Sequence, residues 1–245
     1  MTADPDRCRP AIAAVAVLHD DVRRGLYEFI RRSRRAVTRE EAAGAAGISR
    51  KLAAFHLDKL VDAGLLVAHT APGRERRVGR RPKVYQPAAT DIRVTIPERR
   101  PDMLAEMLLD AVLTEDAGED ARQAAFRVAR SRGRAMGEAE RAQARPGRLG
   151  PERALTLTQG LLEGHGFEPS RDTATCVRLH NCPFHPLAAR APDLVCGLNR
   201  ELLAGFLDGL QAGTVEAVLV PRPGQCCVEL RATPAAGNGG RDTPG

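Results

Sequence analysis

Residues 36–66 read AVTREEAAGAAGISRKLAAFHLDKLVDAGLL, and the fold of the N-terminal part turns on this stretch. Thr38 followed by Glu41 is a capping box, which opens a short helix over roughly residues 39–46. Gly47 supplies the turn, because glycine takes the left-handed conformation that ends a helix. Ser49 caps a second, longer helix whose positions Ala53, Leu57, Leu60 and Gly64 recur at i, i+4, i+7 and i+11. Gly64 ends it, and Leu65-Leu66-Val67 begins a strand.

Upstream, DDVRRGLYEFIRRS (20–33) predicts an amphipathic helix, with Val22, Leu26, Phe29 and Ile30 on one face. What precedes it reads as a polar start. Helix, short helix, glycine turn, helix and strand make a helix-turn-helix. Downstream, APGRERRVGRRPKVYQP (71–87) sets Arg74, Arg76, Arg77, Arg80, Arg81 and Lys83 between two β-prone pieces, Leu66–Ala68 and Val84–Gln86, with only Glu75 in opposition. A hairpin tip so basic repels itself without an anionic partner, so the motif reads as winged, with phosphate and minor-groove contact at the wing.

In such a motif the second helix enters the major groove by its N-terminal residues, here Ser49, Arg50, Lys51, Ala54 and His56. Arg50 can pair in bidentate fashion with guanine. Lys51 suits a phosphate. His56 has two open roles, a base contact or packing against the first helix. One such unit binds weakly, so a homodimer on a palindromic double-stranded DNA operator is expected.

The 245 residues are 43% hydrophobic and 28% charged, with 3% aromatics and no Trp. This composition excludes a disordered chain, a collagen-like fibre and an aromatic-rich sugar- or peptide-binding surface. No run approaches the roughly eighteen apolar residues of a membrane span, and MTADPDRCRP lacks a signal-peptide core; the expectation is a cytoplasmic protein with no membrane partner. Residues 1–100 hold 21 Lys and Arg against 12 Asp and Glu, a net of +9; residues 101–245 hold 16 against 19, a net of −3. A nucleic-acid-facing module joined to a part with another task explains that asymmetry. GC-rich codon usage would explain 34 Arg against three Lys, but not their crowding.

After a link over Asp91–Pro101, DMLAEMLLDAVL places Leu104, Met107, Leu108 and Ala111 on one helical face. EDARQAAFRVARSRGRAM continues with Ala121, Ala125 and Val128. These faces suit dimerisation or an internal core. RPGRLGP (145–151) is a break, and ERALTLTQGLLEGHG a helix ending at Gly164 or Gly166. TATCVRL reads as a strand, CGLNRELLAGFLDGL as a helix, and TVEAVLV with QCCVEL as a hairpin turned at Pro221–Gly224. The fold class is α+β: a winged helix-turn-helix domain over 15–96, a helical dimerisation region over 97–166, a small α/β cysteine-bearing sensor domain over 167–232 and a disordered tail over 233–245.

Cys8 stands apart, whereas Cys176, Cys182, Cys196, Cys226 and Cys227 crowd the last third. In a cytoplasmic protein such a cluster points to metal or redox chemistry. Cys182 precedes Pro183 and Cys196 precedes Gly197, each ahead of an expected helix, where positive helix ends favour thiolates. Cys226 and Cys227 fall on an expected strand, where alternation sends them to opposite faces; Cys226 shares its face with Val228 and Leu230, which makes Cys227 the candidate ligand, an assignment that packing can reverse. His185, three residues after Cys182, completes a Cys3His set suited to zinc or to an iron–sulfur cluster. Cys176, in a strand, reads as core. A thiol enzyme using Cys182 with His185 is a third alternative, without a visible Asp or Asn to orient the imidazole.

ISRKLAAFHLDKLVDAGLL, GRRPKVYQ and NCPFHPLA…LVCGLN…LLAGFLDGL…RPGQCCVEL together resemble the ArsR-like winged-helix regulators, and among them the SufR-type iron–sulfur repressors, over roughly residues 15–232. The resemblance implies a homodimeric DNA-binding repressor, not an enzyme, that carries an iron–sulfur cluster of the 4Fe-4S type on three cysteines plus one further ligand. It also implies control of cluster-assembly genes. Cys182 and Cys196 match, the third ligand falls on the Cys226–Cys227 pair, and His185 or Cys176 is left for the fourth. Zinc or a thiol-redox pair at the same cysteines is the alternative.

Overall fold

Thr38 does in the structure what its spacing from Glu41 demands. In the computed structural model its Oγ1 accepts from Glu41 N at 3.2 Å, while Glu41 Oε2 accepts from Thr38 N at 2.8 Å. The structure describes residues 8–70, 82–89, 91–222 and 224–233, the side chains of 8–10 apart. It is a mixed helix and sheet chain that divides into two compact units, Asp6–Val94 and a second beginning at Thr95.

The first unit runs α1 (Cys8–Val17), α2 (Asp21–Ser33), β1 (Val37–Thr38), α3 (Arg39–Ala46), α4 (Arg50–Asp62), β2 (Leu66–Thr70) and β3 (Lys83–Pro87). Gly47 caps α3 at φ 65°, a backbone that L side chains resist, and Ser49 caps α4 by accepting from Leu52 N at 3.2 Å. The three strands pair antiparallel in the order β1-β3-β2, with Val37 opposite Tyr85 and Ala68 opposite Tyr85 from the other side. Leu26, Ile30, Val37, Ala53, Leu57, Leu60, Leu66 and Tyr85 form the core. Two elements depart from expectation. The supposed polar start is helix α1, whose Ala14 is buried, so this unit begins well before residue 15. Strand β1 is two residues long, too short for any period to register.

The second unit runs α5 (Pro101–Leu113), α6 (Ala121–Ala144), α7 (Pro151–Glu163), β4 (Pro169–Thr173), β5 (Cys176–Leu179), α8 (Leu187–Arg190), α9 (Pro192–Leu210), β6 (Val215–Leu219) and β7 (Val228–Ala232). Its sheet is antiparallel in the order β4-β5-β7-β6. The stretches 97–166 and 167–232, expected as separate regions, share a single core that includes Leu104, Met107, Ala125, Leu155, Leu198, Phe206 and Leu230. The physical reason is the seam of α6 on α9. Gly133 and Gly137 of α6 face Gly205 and Gly209 of α9, and a Cβ on any of the four would strike the other helix's backbone. Leu104, Met107, Ala111 and Ala125 are thereby spent on this internal core, while Leu109, Val112 and Leu113 stay 58%, 71% and 72% exposed on α5. Strand β4, PSRDT, was not expected; its proline is tolerated because it lies at the sheet edge. Cys196 lies a turn inside α9, which starts at Pro192. No helix among the described residues is long and apolar enough to cross a membrane.

Candidate functional site

Four of the cysteines, drawn from three segments of the last third of the chain, meet in the second unit. Cys182 leaves β5 through Asn181 and enters a turn that continues to α8; Cys196 projects from α9; Cys226 and Cys227 end the β6–β7 connection. Cys182, Cys196 and Cys227 line one cavity of about 380 Å³ together with Arg99, His185 and Arg222. Cys196 and Cys227 are joined as a disulfide with their Cα atoms 6.2 Å apart. The Cys226 thiol lies beside that of Cys182, close enough for the two to perturb each other's protonation.

The strand expectation for the cysteine pair is overturned. Residues 224–227 form a bend ahead of β7, so alternation does not apply, and both side chains are buried. Backbone bonds pin them separately: Cys226 N donates to Leu179 O at 3.1 Å, and Cys227 O accepts from Val220 N at 2.7 Å. His185 lines the cavity but is exposed. Cys176 stands elsewhere, half-buried at the start of β5, its Sγ 3.6 Å from Glu229 Oε2. Burial and then the Glu229 carboxylate push its thiol above the ordinary range.

The electrostatics favour one thiolate. The hydrogen bond from Cys226 holds the Cys182 thiol down to about 7 against the cost of burial, helped by the N–H groups of Phe184 and His185 and by the Arg99 guanidinium. The partner Cys226 is pushed well up by that same bond and by burial. Proton and charge are thus divided within the pair. Asn199, on α9 and completely buried, donates from Nδ2 to Cys226 Sγ at 3.2 Å, and among the described residues its Oδ1 has no partner.

A strap from the start of the unit holds the Cys182 loop. Arg99 donates to the Cys182 carbonyl at 2.7 Å and to Asn181 Oδ1; Arg100 N donates to Pro183 O at 2.7 Å. Asn181 Nδ2 donates to Glu98 O at 2.9 Å and to Gly166 O at 2.8 Å. Neither Asn199 nor Arg99 stands out in the sequence: an Asn in a helix and an Arg in a basic link carry no local signal.

The donor set suits a metal group chemically: soft sulfur ligands, a cavity roomier than one ion needs, and the Arg99 guanidinium to offset negative charge. Among the described residues no three His, Cys, Asp or Glu side chains are already arranged to hold a metal ion. Cys196 and Cys227 are bonded to each other, so reduction must precede ligation.

The first unit carries the other candidate residues on α4. Arg50 and Lys51 are exposed, Arg50 Nη1 lying 3.5 Å from Glu40 Oε1; Ala54 is half-buried, and the Ser49 hydroxyl is occupied by its capping bond. His56 takes the packing role: it is only 7% exposed, its Nδ1 3.9 Å from Asp20 Oδ1 at the N-cap of α2. A residue passed over is Phe55, 53% exposed on the face it shares with Lys51 four residues earlier; the helical period that buries Ala53, Leu57 and Leu60 turns it outward. Lys83 is exposed at the start of β3. Arg76, Arg77, Arg80 and Arg81, and the tail from 234, lie outside the described residues. No family model, curated protein or solved structure matches this chain.

Proposed function

We propose that this chain is a DNA-binding transcriptional repressor whose affinity for its operator is set by an iron–sulfur cluster in the cysteine cavity. The observation that carries the reading is the meeting of Cys182, Cys196 and Cys227 on one cavity, with the Cys226 thiol beside that of Cys182, from three separate segments. In this reading α2 to α4 with the β2–β3 hairpin are a winged helix-turn-helix. Helix α4 enters the major groove, where Arg50, Lys51 and Phe55 meet bases and phosphates, and Lys83 with the arginines of 74–81 follows the backbone at the wing. Two copies meet through apolar α5 residues left uncovered, Leu109, Val112 and Leu113, and address a palindrome. Cluster-assembly genes are the targets that the sequence resemblance suggests.

When bound, the group supplies a charge and redox state responsive to iron and sulfide. The protein's own residues pass that state on. Arg99 and Arg100 tie the Cys182 loop to the segment that follows Val94, the last residue of the basic unit. Two ligation states of that loop therefore bias the chain leading to the DNA-reading unit, which is what linkage between two sites requires.

Anaerobic purification tests the reading. Protein with stoichiometric iron and sulfide, whose operator binding changes on cluster removal, supports it; colourless protein without either refutes it. The Cys196–Cys227 disulfide favours a second reading, a thiol-redox or zinc site on the same DNA-binding frame. Metal-free protein whose DNA affinity follows a thiol reductant alone would establish that alternative.

A further inference from the structure

We infer that the doubled cysteine supplies two ligands, so that the centre is a four-sulfur set of Cys182, Cys196, Cys226 and Cys227, with Asn199 as a positioning residue and His185 outside the set. The inference rests on the metal-centre reading above and adds its fourth ligand.

Three features converge on Cys226. First, it stands in a bend, not a strand, next to Cys227 and held by its backbone N–H to Leu179 O at 3.1 Å, at the end of the strand that leads to Cys182; Cys182, Cys196 and Cys227 line one cavity. Second, Asn199 is completely buried in the face of α9 that packs on the core, yet its Nδ2 donates to Cys226 Sγ at 3.2 Å and, among the described residues, its Oδ1 has no partner. A buried amide is an expensive neighbour for a plain core thiol. It is the usual neighbour of a ligating sulfur, whose charge an N–H donor stabilises. Third, the backbone bonds from Cys226 to Leu179 and from Val220 to Cys227 fix the two adjacent residues to opposite sides, β5 and the end of β6. Each sulfur is thus brought up to a different partner, Cys182 for one and Cys196 for the other. His185 lacks this support: it is exposed, and its N–H closes the Cys182 turn.

Ligation by all four requires the disulfide to open. A phosphine and water reduce it, the phosphine leaving as phosphine oxide and the two sulfurs as thiols. A divalent ion then displaces four protons from the four thiols, giving a tetrathiolate with a net charge of −2.

Cobalt(II) is the probe, added to the full chain under argon after phosphine reduction and read by its sulfur-to-metal charge-transfer bands against a competing chelator. Cys226→Ser and Cys182→Ser are each expected to weaken binding by more than about 100-fold, beyond the range of outer-shell losses. Asn199→Ala should weaken it by about 10-fold while keeping the wild-type spectrum. His185→Ala and Cys176→Ser should leave both affinity and spectrum unchanged. A readout on the wild type needs no variant to fold: cobalt should abolish alkylation of Cys182, Cys196, Cys226 and Cys227 and leave that of Cys176 as it was. Wild-type affinity in Cys226→Ser, or alkylation of Cys226 in the loaded protein, overturns the inference. Tetrathiolate cobalt in a chain that carries no iron or sulfide when isolated anaerobically upholds the four-sulfur set and sinks the cluster reading alone. A wild type that binds no cobalt overturns both.

Discussion

Replacing Gly133 by alanine adds a single methyl group to the seam on which the cysteine-bearing unit is built. At Gly133 that Cβ would lie against the Leu202 carbonyl oxygen, with the Leu202 carbonyl carbon at 2.8 Å and Phe206 N at 2.9 Å. All three are backbone atoms of α9, so no rotamer relieves the clash and the helices must part. Overpacking of this kind costs about 1–3 kcal/mol, and a backbone collision belongs at the upper end. Alanine gains about 1 kcal/mol over glycine in a helix, leaving a net loss of roughly 2 kcal/mol. For a unit of this size that is a fall in Tm of roughly 6 °C. Urea unfolding followed by circular dichroism measures the change. Gly160→Ala on α7, exposed and with nothing within 4 Å of its added methyl, is the control and should stabilise by about 1 kcal/mol. If Gly133→Ala matched or exceeded the wild type while Gly160→Ala behaved as expected, the close crossing of α6 and α9 would be refuted.

Other outcomes follow from single side chains. Thr38→Ala removes an N-cap and should cost about 1 kcal/mol. Glu41, held at about 2 first by Arg35 and then by Thr38, contributes stability that is fully present above the ordinary carboxylate value of 4.5 and fades as pH falls towards about 2; an acid titration in which Thr38→Ala narrowed no part of that window would count against the capping box. Phe55→Ala and Lys51→Ala should weaken DNA binding at unchanged Tm, with Lys51→Ala lowering the salt slope by about 1. His56→Ala should instead lower Tm and leave sequence preference intact, and fluorescence anisotropy beside thermal melts separates the two patterns. Leu109→Asp with Val112→Asp should shift a dimer to monomer in sedimentation without unfolding the chain; an unaltered dimer would remove α5 from the interface.

Much of the first unit could be read from its letters because its signals are local. A cap such as Thr38 or Ser49 acts within three residues, Gly47 sets its own φ, and Ala53, Leu57 and Leu60 share a face by helical period alone. His56 marks the limit of that code. Its period places it beside Ala53 and Leu60, but a histidine there can pack or reach outward, and its burial near Asp20 at the start of α2 settles on packing.

In the second unit the sequence by itself determined which residue types were present: five cysteines in the last third, apolar helical faces, and glycines four apart at 133 and 137 and again at 205 and 209. It did not determine which partners they meet. Pairing α6 with α9 turns those glycines into a seam, and that seam makes one body of what read as two regions. The bend before β7 turns Cys226 and Cys227 inward together, against the alternation that a strand would have imposed. Tertiary structure decided these points because each depends on residues far apart in the chain. Hydrogen bonds that close within a turn are written in neighbouring letters; contacts across a sheet or between helices are selected by the packing of the whole unit.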